Sequence, residues 1–301
     1  MEILMFRINR KTILFFMIAC WFLIIGSTQI LAGPGSQTLW KISKDGNFSY
    51  ILGSVHFLKK ENYPLPQKIY AAFDECDALV LEADLDSLKM PETASKMMHI
   101  SMLPDNRLFK DVVSQETFEQ VSSHLAGLGL NIQLMPRSKP WFLALTITAL
   151  EAQKMGMDAT LGLDNHFAQK ANEKEYPILG LETIAFQMGL FDNLPIKTQI
   201  SFLLKTLDDA KDAEVTMGKM LAAWENGEEG KLQELLSGGF EGFPELYNKL
   251  LIARNENWVP QIEKLILSDK KYFIVVGAGH LVGKKGVIEL LKKRGYSIKR
   301  I

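Results

Sequence analysis

Two histidines stand in the same local setting. Tyr50-Ile51-Leu52-Gly53-Ser54-Val55-His56 near the start and Phe273-Ile274-Val275-Val276-Gly277-Ala278-Gly279-His280 near the end both read as short apolar strands running into Gly-x-x-His. Two neutral imidazoles plus a carboxylate make a workable ligand set for a divalent cation, with positions left for water and substrate. Glu82 and Glu182 offer carboxylates, each directly behind a short apolar run, Ala78-Leu79-Val80-Leu81 and Tyr176-Pro177-Ile178-Leu179-Gly180-Leu181. One can ligate while the other acts as a base or steadies a ligand. Arg254-Asn255, with Trp258 about one helical turn on, adds a guanidinium suited to a substrate carboxylate or an oxyanion.

Each of these residues also has a plainer reading. His56 and His280 could be hydrogen-bonded turn residues, Glu82 and Glu182 could cap the helices that follow them, and Arg254 could be a solvated charge beside a core tryptophan. Spacing does not choose, because the residues are scattered and form no compact HExxH motif. His99 and His124 read as surface residues on polar helix faces. His166 lies two residues after Asp164 and so on a different helical face, and reads as structural. Asp164 opens a helix and could cap it or reach the sheet edge. Gly277-Ala278-Gly279 and Gly283-Lys284-Lys285-Gly286 resemble phosphate-cradling segments but lack the full spacing of a nucleotide site.

A strand that ends in glycine delivers its next side chain to the carboxyl edge of a sheet, where open α/β folds place their ligands. Leu39-Trp40-Lys41-Ile42 and Phe48 to Leu52, joined through Lys44-Asp45-Gly46-Asn47, read as a β-hairpin whose second strand ends at Gly53. A helix over Gln67 to Cys76 then leads to the buried strand Ala78 to Leu81, with Glu82 directly after it. The middle is helical by period over Thr117 to Leu128, Trp141 to Met155, Leu163 to Asn172, Thr198 to Trp224, Glu228 to Leu236 and Pro244 to Leu267, interrupted by the strand Tyr176 to Leu181. Strand (Lys271 to Val276), helix (Lys284 to Lys293) and strand (Tyr296 to Ile301) close the chain. The expected fold is α/β: a mixed central β-sheet flanked by helices, with a long helical insertion between the N- and C-terminal sheet elements.

With 301 residues and 47% hydrophobic content, the chain can bury a sizeable core. Arg7, Arg10 and Lys11 precede the apolar run Ile13 to Gly26, and small, turn-prone residues follow as far as Gly35, the layout of a secretory signal. Residues 1–32 are therefore read as a signal peptide and 33–301 as a single exported domain, periplasmic or secreted. An uncleaved segment is the other reading and the sole membrane tether on offer, although the run is short for a spanning helix. Met17-Ile18-Ala19-Cys20 faintly resembles a lipoprotein box, against which the apolar Trp21 to Ile25 argues. The remaining chain holds 31 Lys and Arg against 34 Asp and Glu, without the dense basic patch that nucleic acid requires. Cys76 alone remains after processing, so no intrachain disulfide can form.

Leu39-Trp40 with Gly53-Ser54-Val55-His56, Leu81-Glu82-Ala83-Asp84, Lys139-Pro140-Trp141, Gly162-Leu163-Asp164 through Phe167, Leu181-Glu182-Thr183 with Gln187, Arg254-Asn255 with Trp258, and Val276 through Gly283 follow in an ordered series. Together they resemble the TraB/PrgY/GumN family, its GumN-like branch above all. That family includes TIKI-type metalloproteases and is distantly similar to haem-binding ChaN-like and erythromycin-esterase-like proteins. The resemblance covers most of the mature chain. It implies a metal-dependent catalytic core of the two Gly-x-x-His motifs and the glutamate after the second strand, carried here onto His56, His280 and Glu82, with Arg254 and Asn255 matching the family's polar pair on the late helix. The implied activity is a metal-dependent hydrolase, a peptidase foremost. Mn²⁺, Co²⁺ or Zn²⁺ would sit on His56, His280 and Glu82, Glu182 would assist, and the substrate would be a peptide or small molecule. The alternative is a periplasmic binding protein for haem, another tetrapyrrole or some other apolar ligand, without catalysis, its pocket lined by Phe57, Tyr63, Trp141 and Trp258.

Overall fold

Alternation at period two sorts the side chains of the central strands onto two faces, and both faces are covered by helices. The computed structural model describes residues 38–84 and 91–301. Strands β1 (Leu39–Lys44), β2 (Asn47–Ser54), β3 (Ala78–Ala83), β4 (Ile178–Glu182), β5 (Tyr272–Gly277) and β6 (Ser297–Arg300) form one sheet in the order β4-β3-β5-β2-β1-β6. β1 and β2 are the expected hairpin, and the two residues between them, Asp45 and Gly46, both take positive φ, as the tight turn requires. β2, β5, β3 and β4 run parallel, and β1 runs antiparallel to both β2 and β6.

Tyr50, Leu52, Leu79, Leu81, Phe273 and Val275 pack on one face with Ile69 and Phe73 of the helix Gln67–Asp74 and with Phe167 of Leu163–Glu173. Ile51, Ala78, Val80, Ile274 and Val276 pack on the other face against Trp258 and Ile262 of Ala253–Ile266 and Leu291 of Val287–Lys293. Burial on both faces is why these strands read as continuous apolar runs. Glu82 is two residues beyond Val80 and so faces the helix Ala253–Ile266. It lies inside β3, not behind it as the sequence suggests, because Leu81, Glu82 and Ala83 continue the strand.

The insertion keeps a core of its own, in which Leu143 and Ile147 of Pro140–Lys154 meet Val121, Leu125 and Leu203. Trp141 Nε1 and Lys139 Nζ both donate to Asp192 Oδ1, tying the Lys-Pro-Trp segment to the helix Ile184–Asp192. Two expected helices are broken. Thr198 to Trp224 divides into Ile196–Asp209 and Ala213–Glu225 around a short 3-10 turn, and Pro244 to Leu267 contains the π-helical stretch Asn248–Ile252. The helix expected from Lys284 begins at Val287, after Gly283 in the left-handed region and Gly286 at the cap. The expected signal segment lies outside the described residues. Among the described residues no helix is long and apolar enough to cross a membrane. Cys76 is buried, its thiol donating to Ala72 O and pushed up to about 12 by burial.

Candidate active site

The four parallel strands present their carboxyl ends at one edge, and four of the six candidate residues arrive from those ends or from the segments just after them, Arg254 and Asn255 coming from the helix Ala253–Ile266. His56 follows β2 by two residues. The chain there docks against residues leading into Leu163–Glu173: Leu163 N–H donates to Val55 O at 3.1 Å, and Leu58 bridges Asp158. Only glycine fits at 162, since a Cβ would lie 2.2 Å from His56 O. This close approach brings Asp164, in the first turn of the helix, onto His56: Oδ2 is 2.7 Å from Nδ1, and Oδ1 accepts from Ser54 Oγ at 3.1 Å. Asp164 therefore reaches the sheet edge and does not serve as a helix cap.

His280 is placed by the short turn of helix after β5 and is held from behind by Ala253–Ile266. Lys285 O accepts from Asn255 Nδ2 at 2.9 Å, which fixes the amide; Asn255 Oδ1 then faces His280 Nδ1 at 2.6 Å. Arg254 Nη1 lies 3.0 Å from His280 Nε2. A guanidinium only donates, so Nε2 carries the lone pair and Nδ1 the proton. The Trp258 ring packs 4.3 Å from the imidazole and 4.6 Å from the guanidinium.

Arg254 is buried and its five N–H groups are all engaged. Nε meets both Glu182 oxygens at 3.0 and 3.2 Å, Nη2 meets Glu82 at 2.6 Å and Glu182 at 2.9 Å, and Nη1 meets Leu250 O and His280. Glu82 Oε1 also accepts from Gly277 N at 2.8 Å. Gln187 Nε2 bridges Glu82 and Glu182 at 3.3 and 3.2 Å. A Cβ on Gly277 would sit 3.1 Å from Glu82 Oε1, 3.5 Å from His280 Cδ2 and 3.9 Å from His56 Nε2, so the three side chains converge on one point.

This arrangement retires several plainer readings. Thr183, not Glu182, caps Ile184–Asp192. Arg254 is buried rather than solvated. Asn255 turns away from the opening and holds His280. His99 is exposed as expected, whereas His124 is partly covered and pairs with Glu151 at 2.9 Å, because Glu151 lies on the buried face of its helix. His166 packs among Tyr63, Tyr70 and Phe167. Phe57, Trp141 and Trp258 fill three different cores, so they do not line a common ligand pocket. Asp164 takes the second of its two expected roles, reaching the sheet edge; the residues that sequence reasoning gave no role are Ser54 and Gln187, whose signal is a polar residue inside a matching motif.

Burial disfavours the His56 imidazolium, but the charge and hydrogen bond of Asp164, with Glu82 behind them, push the ring up to about 9 against Arg254. Burial pushes His280 down to about 3, with Arg254 and His56 adding to it against Glu82. Burial would raise Glu82, yet Arg254, the two imidazoles and the Gly277 amide hold it well below the usual carboxylate range.

A sequence profile of the TraB/PrgY/gumN family matches residues 38–300. The chain belongs to that family. Similar proteins include the uncharacterized protein YbaP of Escherichia coli, 25% identical over 262 residues, covering 86% of this chain and 94% of YbaP. The metalloprotease TIKI1 of Danio rerio is 22% identical over 347 residues (94% of this chain, 69% of TIKI1), and that of Homo sapiens 21% over 313 (86% and 61%). No solved structure matches.

For a family with such members, the question is whether this edge suits a divalent cation. Among the described residues no group of three or more His, Cys, Asp or Glu side chains is arranged, as it stands, to hold a metal ion, and Arg254 bridges Glu82 and His280. The donor chemistry nevertheless fits. Asp164 and Asn255 each engage an Nδ1, the outer-shell pattern that orients metal-binding imidazoles; His56 Nε2 is left for the shared point, whereas His280 Nε2 accepts from Arg254 and would exchange that donor for the ion. With both rings neutral, Glu82, Glu182 and Asp164 against Arg254 formally leave two negative charges, which one divalent cation would balance.

Proposed function

We propose that the chain is a metal-dependent hydrolase, foremost a peptidase, acting outside the cytoplasm on a peptide or small-molecule substrate. The observation that carries this reading is the pair of Gly-x-x-His imidazoles, each held through Nδ1 and brought against Glu82, with His280 Nε2 3.7 Å from Glu82 Oε1 and at present bonded to Arg254. The metalloprotease relatives support it at the level of reaction class.

His56, His280 and Glu82 would hold Mn²⁺, Co²⁺ or Zn²⁺. A divalent cation there polarises a carbonyl and acidifies water. Glu82, kept ionised by Arg254 and the Gly277 amide, suits ligation better than proton abstraction. Asp164 and Asn255 keep the rings in place. Arg254 and Gln187 pin the two glutamates, and a developing oxyanion would claim an Arg254 N–H only by displacing one of its present acceptors.

The test is metal analysis of the purified chain beside a His56→Ala/His280→Ala double variant, stripped and refilled with Mn²⁺, Co²⁺ and Zn²⁺ in turn, followed by a peptide-cleavage screen. Stoichiometric metal and cleavage, both lost in the double variant, are expected. A wild type that takes up no metal, with any activity untouched in the variant, defeats the reading.

A further inference from the structure

The sheet has two margins, β6 and β4, and β4 is the one that runs into the candidate site, ending at Glu182. Leu79 N–H donates to Pro177 O at 2.9 Å, and Leu79 is in register with Ile178. In a parallel ladder one residue bonds to the two that flank its partner, so Pro177 and Leu179 turn their backbone groups to β3. Ile178 and Gly180 then turn their N–H and C=O groups outward. Among the described residues no strand pairs with that outer side.

Ile178, Leu179, Gly180 and Leu181 carry none of the charge that is one of the means by which exposed edges are blunted, while Pro177 and the short length of β4 limit the edge at its amino end. Leu179 is 40% exposed, and Phe186, in the first turn of Ile184–Asp192, is 45% exposed. Gln187, the residue after Phe186, is the one that donates to Glu82 and Glu182. Outward-turned main-chain groups, flanking apolar side chains and the charged centre thus follow one another from β4 to Gln187.

We propose that an extended peptide adds to β4 as an outer strand and is led over Phe186 and Gln187 to the Glu82–Glu182 centre. This rests on the hydrolase reading and names its substrate class: unstructured chains, recognised mainly through their backbone and so with broad sequence tolerance. A folded protein offers a strand only where its own sheet has an exposed edge. The other candidate for the edge is a second copy of this chain pairing β4 to β4.

The test uses the metal-stripped chain, so that binding is read without turnover, and an unstructured synthetic peptide of alternating apolar and polar residues. Saturating peptide is expected to slow amide exchange at Ile178 and Gly180 in particular. N-methylation of a single peptide residue whose N–H faces the edge is expected to weaken binding about 5–10-fold, the loss of one net hydrogen bond, while the neighbouring positions respond weakly. Ile178→Pro removes an outward N–H and is expected to weaken binding by the same factor, with Ile178→Ala, which keeps the N–H, as its control. No binding at millimolar peptide, binding without protection of these amides, or equal effects of the two substitutions would overturn the proposal. So would a concentration-dependent dimer that protects the same amides before any peptide is added. Peptide held at the edge but left intact by the metal-loaded chain would defeat the hydrolase reading alone; cleavage without edge protection would defeat this inference alone.

Discussion

The two Gly-x-x-His arms share a motif and a sheet edge, yet their imidazoles are driven in opposite directions. His56 meets an anion, Asp164, at 2.7 Å, and is pushed up to about 9; His280 meets a neutral amide, Asn255, at 2.6 Å and a cation, Arg254, at 3.0 Å, and is pushed down to about 3. Burial acts against the charged form in both. The difference shows that the motif delivers a ring to the edge, while its surroundings decide its charge: Asp164 outweighs burial at His56, and burial reinforced by Arg254 prevails at His280. An anionic orienter makes one nitrogen electron-rich, and a neutral one beside a guanidinium keeps the other deprotonated and fixed in tautomer.

The harshest way to break the comparison is to remove the cation. Arg254→Met would leave Glu82 and Glu182 facing each other without their shared donor and would strip His280 Nε2 of its partner. Deleting one member of a buried charge network costs about 3–5 kcal/mol, so urea denaturation of the metal-free variant should show a loss of that order. A stability within about 1 kcal/mol of wild type would mean that the network contributes no more than an exposed ion pair.

A gentler pair of changes exchanges the orienters. Asp164→Asn keeps an acceptor for His56 but removes its charge, so the ring should titrate far below 9, read from the imidazole carbon-bound protons by NMR. Asn255→Asp should raise His280, though Asp cannot donate to Lys285 O, and the variant should lose about 1–3 kcal/mol for that unpaired carbonyl. The signs for the metal-free protein follow. His56 is raised above its unfolded value near 6.5, so its contribution is full below about pH 6.5 and is lost as pH rises to about 9; His280 is lowered, so stability is lost as pH falls from about 6.5 toward 3. Asp164→Asn should therefore remove the alkaline loss and spare the acid one. Unchanged slopes in both variants would show that the orienters do not set the charge states.

How much of this was legible depends on sequence separation. The hairpin could be read because Asp45-Gly46 announces its own turn, and the buried strands because their apolar runs are continuous. The break near residue 210 could not, because Gln199, Leu203, Thr206, Ala213 and Met217 keep one unbroken helical spacing across it, although they belong to different helices. Strand order was hidden as well: β5, from the far end of the chain, sits between β2 and β3, and no local pattern records that. At the site, the two histidines and two glutamates could be found from the strands that carry them. Asp164 could not be assigned, since its partner is 108 residues away, and Asn255 could be named as a polar residue beside Arg254 without any sign that it turns toward His280.

The smallest expected effect lies at His166, two residues from Asp164 and outside the charge network, which sharpens the comparison by supplying an imidazole with no orienter. Its ring packs 4.8 Å from Tyr63 and 5.2 Å from Phe167, and its buried Nε2 has no hydrogen-bond partner among the described residues. Burial, with Lys170 adding and Glu173 opposing, pushes it down to about 4. Between about pH 4 and 6.5 the unfolded chain binds a proton that the folded chain refuses, so stability rises with pH across that window. His166→Gln removes this slope. Because the ring is only half-buried, solvent screening reduces the effect to about 1 kcal/mol between about pH 7 and 4, measured as the difference between wild-type and variant urea midpoints in chelator. His280 titrates in the same window and is present in both proteins, so the difference isolates His166. Parallel curves would mean that aromatic packing alone, without an orienting acceptor, does not hold an imidazole neutral in this fold.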